Sequence, residues 1–160
     1  MIRQDIYINE IGWKVVVCYN VTCRHAGLIM RELRSVGCRG KQAEEAYNNL
    51  LSCRYNSGFT YSKGRKTVMV IGIADRAGEF INTLVHELKH LSGHIEKALG
   101  IDAWSEQSAY LIGDMAQIMY ERVISFICEM RKSADYNDSQ HFNNNNKTNP
   151  KTNTKPRYYL

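Results

Sequence analysis

Proline is nearly missing from these 160 residues: Pro150 and Pro156 are the only two, and both lie near the C-terminal end. Long apolar runs are missing too. No stretch approaches the roughly 18 apolar residues of a membrane-crossing helix, and the opening MIRQDIYINE lacks the apolar core of a secretory signal. No membrane association is expected, and the cytoplasm is the expected compartment. A dense run of Lys and Arg is also absent. The net charge of +5, from 21 basic and 16 acidic residues, is spread along the chain, so neither a phosphate-tracking surface nor a nucleic-acid partner is expected. The five cysteines (Cys18, Cys23, Cys38, Cys53 and Cys128) are an odd number with no Cys-x-x-Cys pair. They do not read as a zinc knuckle or a disulfide framework but as small buried or partly buried thiols in a reducing compartment.

What is present fits one domain with one sizeable core. From Ser133 onward the text SADYNDSQHFNNNNKTNPKTNTKPRYYL has almost no aliphatic side chains, too few to offset the entropy of ordering it. Residues 133–160 are therefore expected to form a disordered Asn/Lys-rich tail, and residues 1–132 the folded unit. Residues 5–19, β-branched and aromatic around Gly12, predict one or two strands. Residues 26–36 place Leu28, Ile29, Leu33 and Val36 at helical spacing before Gly37, and residues 41–52 predict a second helix. GFTYSKGRKTVMVIGIAD reads as a hairpin with arms 59–62 and 67–73. Asp75 is placed to cap a helix over 76–99 that Gly100 stops. Asp102 is placed to cap a last helix from 103 to about 131, with Leu111, Ile112, Met115, Ile118, Met119, Val123 and Ile127 inward. The expected class is α+β, a small antiparallel sheet packed against helices.

One stretch carries chemistry. VHELKHLSGH sets His86, His90 and His94 four residues apart, with Glu87 directly after the first. At helical spacing His90 and His94 lie about 40° and 80° round from His86, and Ile81, Leu84, Leu88, Leu91, Ile95 and Leu99 fall opposite. The imidazoles project away from the main apolar face, which weighs against core histidines. A polar face that happens to carry histidine stays open. Histidines at i and i+4 stand one above the other, so both can reach one zinc ion at about 2.0–2.1 Å. Glu87 is placed to hold a water molecule and take its proton as general base.

A catalytic zinc takes three protein ligands and keeps one position open. His94 lies about 12 Å of helical rise from His86, too far to share the ion unless the helix breaks at Ser92-Gly93. A place facing substrate, or a plain surface role, suits His94 better. Glu106, in WSEQSAYLIG, is the expected third ligand, because a short connection should return the last helix alongside the first. The competing reading is an acid that favours a helix N-terminus. Tyr110, one turn after Glu106, and His94 are candidates to donate to a developing oxyanion, and Tyr110 could equally pack between helices.

His86-Glu87-x-x-His90 followed by Glu106 resembles the gluzincin branch of zinc metallopeptidases. The resemblance implies His86, His90 and Glu106 as ligands of Zn2+ and Glu87 as general base. The spacing from His90 to Glu106 is shorter than in many members, and a second motif of the Asn-Glu-x-x-x-Asp type is absent. The wider text over residues 56–113 is also similar to a group of small HExxH proteins of gut Bacteroidales and their phages or mobile elements. The gluzincin resemblance further implies an edge strand that pairs with an extended peptide substrate; here that is the strand TVMVIGI, from Thr67 to Ile73. An ordinary inner strand is the other reading of that pattern.

The expected function is a zinc-dependent metallopeptidase that hydrolyses peptide bonds with activated water. The alternative is a metal-holding binding or regulatory protein with little or no turnover. A third reading has no metal at all and makes the histidines part of a partner-binding face.

Overall fold

A computed structural model describes residues 1–53 and 57–145, with 131–145 as helical backbone. In chain order the elements are β1 (Ile2–Ile8), β2 (Trp13–Val21), α1 (Ala26–Ser35), α2 (Gly40–Leu51), β3 (Gly58–Lys63), β4 (Lys66–Gly72), α3 (Ala77–Leu99) and α4 (Glu106–Asn145). β1 and β2 form a hairpin whose connection ends at Gly12, in the left-handed region at φ 61° where a side chain would be strained. β3 and β4 form a second hairpin.

The sheet order is β1-β2-β4-β3. β2 and β4 run parallel, from Lys14↔Lys66 to Val21↔Gly72, and the other two pairings are antiparallel. The sheet is thus mixed rather than antiparallel. The reason lies in the two central strands, which are almost continuously apolar. Only a place between two layers of helices buries both faces of such a strand.

Val15, Val17, Tyr19, Met69 and Ile71 form one core with Phe80, Leu84, Leu88, Leu91 and Ile95 of α3 and with Met115, Met119 and Phe126 of α4. Val16, Cys18, Val68 and Val70, on the opposite face, pack with Ile29, Met30 and Leu33 of α1 and Leu50 of α2. The molecule is therefore a three-layer α/sheet/α stack. Each large apolar side chain so buried contributes about 1.5–3 kcal/mol.

Several boundaries differ from expectation. Arg76, not Asp75, occupies the N-cap of α3, without a side-chain cap bond; Gly100 ends the helix in the left-handed conformation, as predicted. α4 begins at Glu106 rather than 103, because Ser105 Oγ accepts from the Ser108 N–H at 3.3 Å and caps it. Asp102 instead accepts from the Trp104 N–H at 3.1 Å, within the connection. Ile118 is 46 % exposed; the core register of α4 runs Met115, Met119, Val123, Phe126, which turns Ile118 outward. The helix continues past 132 to Asn145, where each added residue gains a hydrogen bond once the packed part is formed. The rest of the expected tail, 146–160, lies outside the described residues.

The cysteine reading is corrected in part. Cys23 and Cys53 are joined in a disulfide, with Cα atoms 5.0 Å apart, while Cys18 and Cys38 are buried thiols and Cys128 is an exposed one. An odd count hides a pair that only the tertiary fold brings together, here the turn after β2 and the end of α2. Among the described residues no helix is long and apolar enough to cross a membrane.

Candidate metal centre beside an open sheet edge

α3 lies along β3, the outermost strand on its side of the sheet. Alternation sends Phe59 and Tyr61 of β3 toward the α1–α2 core. It leaves Gly58, Thr60 and Ser62 facing α3. Small side chains there let the helix come close. A Cβ on Gly58 would sit 2.8 Å from Glu87 Cγ and 2.8 Å from the Val70 carbonyl oxygen, closer than any real Cβ contact.

Glu87 fills that space and is 2 % exposed. Thr60 Oγ1 donates to its Oε2 at 2.8 Å. Burial pushes the Glu87 carboxyl above its ordinary pKa, and the Thr60 hydroxyl, His90 and then His86 pull it part of the way back. A carboxylate held in this way accepts a proton more readily than one in water.

His86 and His90 stand on the neighbouring stripe of the helix, on its solvent side. Their rings meet edge to face with centroids 4.7 Å apart, and the two Nε2 atoms are 3.0 Å apart. Two zinc–nitrogen bonds of about 2.05 Å at a tetrahedral angle separate their nitrogens by about 3.3 Å. The N···N separation is therefore within a few tenths of an ångström of that of two imidazoles sharing one zinc, and without the ion it is a hydrogen bond between the two rings. The donor types also suit zinc, since neutral imidazoles bind it through either ring nitrogen.

His94 does not join them. Its Nδ1 is 2.8 Å from Ser62 Oγ, which lies 2.7 Å from Thr67 Oγ1, which in turn accepts from Trp13 Nε1 at 2.8 Å. This chain of hydrogen bonds runs from α3 through β3 and β4 to the start of β2. Burial holds the His94 imidazole below its ordinary pKa, with the nearby His90 and Lys97 adding to the shift.

Glu106 is not brought to the histidine pair either. It is exposed at the first turn of α4. α4 docks on a different side of α3: Ser108 Oγ donates to the buried Glu96 Oε1, whose other neighbour is Lys89 Nζ at 3.8 Å. Glu96 lies six residues, about 9 Å of rise, beyond His90, and Glu106 precedes Ser108 on a helix running back the other way. Among the described residues no three His, Cys, Asp or Glu side chains gather as a metal-holding group. Tyr110 is 67 % exposed and faces neither histidine through any hydrogen bond.

β4, expected as the substrate-pairing edge, is flanked by β2 and β3 and offers no free backbone. Among the described residues the outer strands are β1 and β3, and β3 is the one that lies against the histidine-bearing helix. Gly58, Thr60, Ser62 and Trp13 escaped the sequence reading of the site, and Thr67 entered it only as the start of a strand. The alternation of small polar with aromatic residues in GFTYS was the available signal for the first three. Comparison of the chain with known protein families, with curated proteins and with solved structures gives no match.

Proposed function

We propose that this protein is a zinc-dependent metallopeptidase, with His86 and His90 as the protein's metal donors and Glu87 as general base. The observation that carries the reading is the 3.0 Å convergence of the two Nε2 atoms beside a buried carboxylate anchored to the outer strand. A zinc ion held by that pair supplies Lewis acidity, polarising a carbonyl oxygen and lowering the pKa of water. Glu87, desolvated and oriented by Thr60, takes the proton of the attacking water and returns it to the leaving amine. The free edge of β3 binds an extended peptide by backbone pairing, which fixes the scissile bond alongside the histidine stripe. Glu106 is not among the residues assigned to the ion.

A second reading has its own support. With two donors gathered rather than three among the described residues, a metal-holding binding or regulatory protein with little turnover also fits. The cytoplasmic setting expected from the sequence sits poorly with the Cys23–Cys53 bond, because thiols there are kept reduced. An oxidising compartment suits the bond better.

The test is hydrolysis of a random peptide library by zinc-loaded protein and by Glu87→Gln. The proposal expects cleavage by the wild type and a loss of at least about 100-fold in the variant, with zinc retained. Equal inertness of the two with zinc bound would replace it by the binding reading.

A further inference from the structure

A cavity of about 580 Å³ opens at the carboxyl ends of the parallel strands β2 and β4, on the sheet face away from α3. Its size is in the range of small-molecule sites. Leu50, Phe59, Val70 and Ile73 supply apolar walls, and the Cys23–Cys53 disulfide ties one side, the turn after β2, to the other, the end of α2. Arg24 lies between that disulfide and α1 and is exposed among the lining residues. Among the described residues no acidic side chain lines the cavity, and Arg24 has no hydrogen bond or ion pair. A hollow with apolar walls and a guanidinium that has no partner among the described residues is complementary to an apolar group carrying a carboxylate.

We propose that this cavity binds an apolar carboxylic acid of about one residue's size, the chemistry presented by the C-terminal residue of a peptide and by a short fatty acid. The apolar part occupies the space between Leu50, Phe59 and Ile73, and the carboxylate pairs with Arg24. Gly58 lines the cavity and also abuts Glu87, so a peptide end held here reaches the start of β3. The site stands whether or not the histidine pair supports hydrolysis.

Calorimetric titration of the full chain with N-acetyl-leucine, N-acetyl-leucinamide and octanoate tests it. N-acetyl-leucine should bind with a dissociation constant of about 1 mM or below, as suits a ligand of this size. The amide should bind at least about tenfold more weakly, the worth of one charge-assisted contact. Arg24→Gln, at an exposed position, should bring the acid down to the amide's affinity and leave the amide unchanged. Ile73→Trp should fill the cavity and weaken acid and amide together; if that variant fails to fold, the Arg24→Gln comparison decides alone. Octanoate binding tighter than N-acetyl-leucine assigns the site to lipid acids, the reverse order to peptide ends, and both uphold the shared chemistry. Equal affinity for acid and amide, no saturable binding of either acid, or indifference to Arg24→Gln would overturn the inference.

Discussion

At the scale of single residues, the candidate site depends on how closely the helix approaches the strand at Gly58. A methyl group there meets the Glu87 side chain and the Val70 backbone at once, and only the former can give way. Gly58→Ala is predicted to cost about 1–3 kcal/mol of stability, as overpacking does, and to displace the Glu87 carboxylate. Thermal denaturation gives the first, and loss of hydrolysis with zinc binding intact gives the second; an unchanged melting temperature would show that the strand and helix are not in such contact. His94 yields a pH prediction. Burial lowers its pKa in the folded state, so the unfolded chain takes up the proton more readily. The stability tied to neutral His94 is complete above about pH 6.5, the ordinary value. It declines as pH falls below that and levels off beneath the folded-state pKa. Melting temperatures from pH 7.5 to 5 should therefore fall less for His94→Gln than for the wild type. Parallel slopes would contradict this account of His94.

At the scale of elements, the disulfide joins parts separated by 30 residues in sequence. Closing a loop of that length removes chain entropy worth about 3–4 kcal/mol. Reduction, or Cys53→Ser, should lower stability by about that amount in denaturant titration, and a change under about 1 kcal/mol would contradict that contribution. Much of the element layout is legible in the sequence, since Gly12, Gly37 and Gly100 each interrupt or end a periodic run. The HExxH spacing likewise sets His86 and His90 one above the other before any tertiary contact is known. What periodicity leaves open is neighbourhood. The run TVMVIGI describes a strand buried on both faces, but whether its partners are one strand or two is decided by α1 and α2 carrying the chain from β2 to β3, which leaves β4 to return between them. Glu106 stands apart from the histidine pair for a similar reason. The side on which α4 returns is set by Ser105 capping and the Ser108–Glu96 bond, features too local and too common to stand out in the text.

At the scale of the whole molecule, two helical layers cover the sheet and leave the edge of β3 beside the histidine stripe. The stack thus puts the outer strand β3, a buried carboxylate and a pair of imidazoles in contact on one side of the molecule. The central claim is that this pair holds zinc. It is tested most directly by measuring the zinc content of protein purified without a histidine tag, as the wild type, His86→Ala, His90→Ala and Glu87→Gln. The account predicts near-stoichiometric zinc in the wild type and in Glu87→Gln, and its loss in each histidine variant. A wild type without zinc after equilibration with the ion, or histidine variants that retain it, would contradict the account.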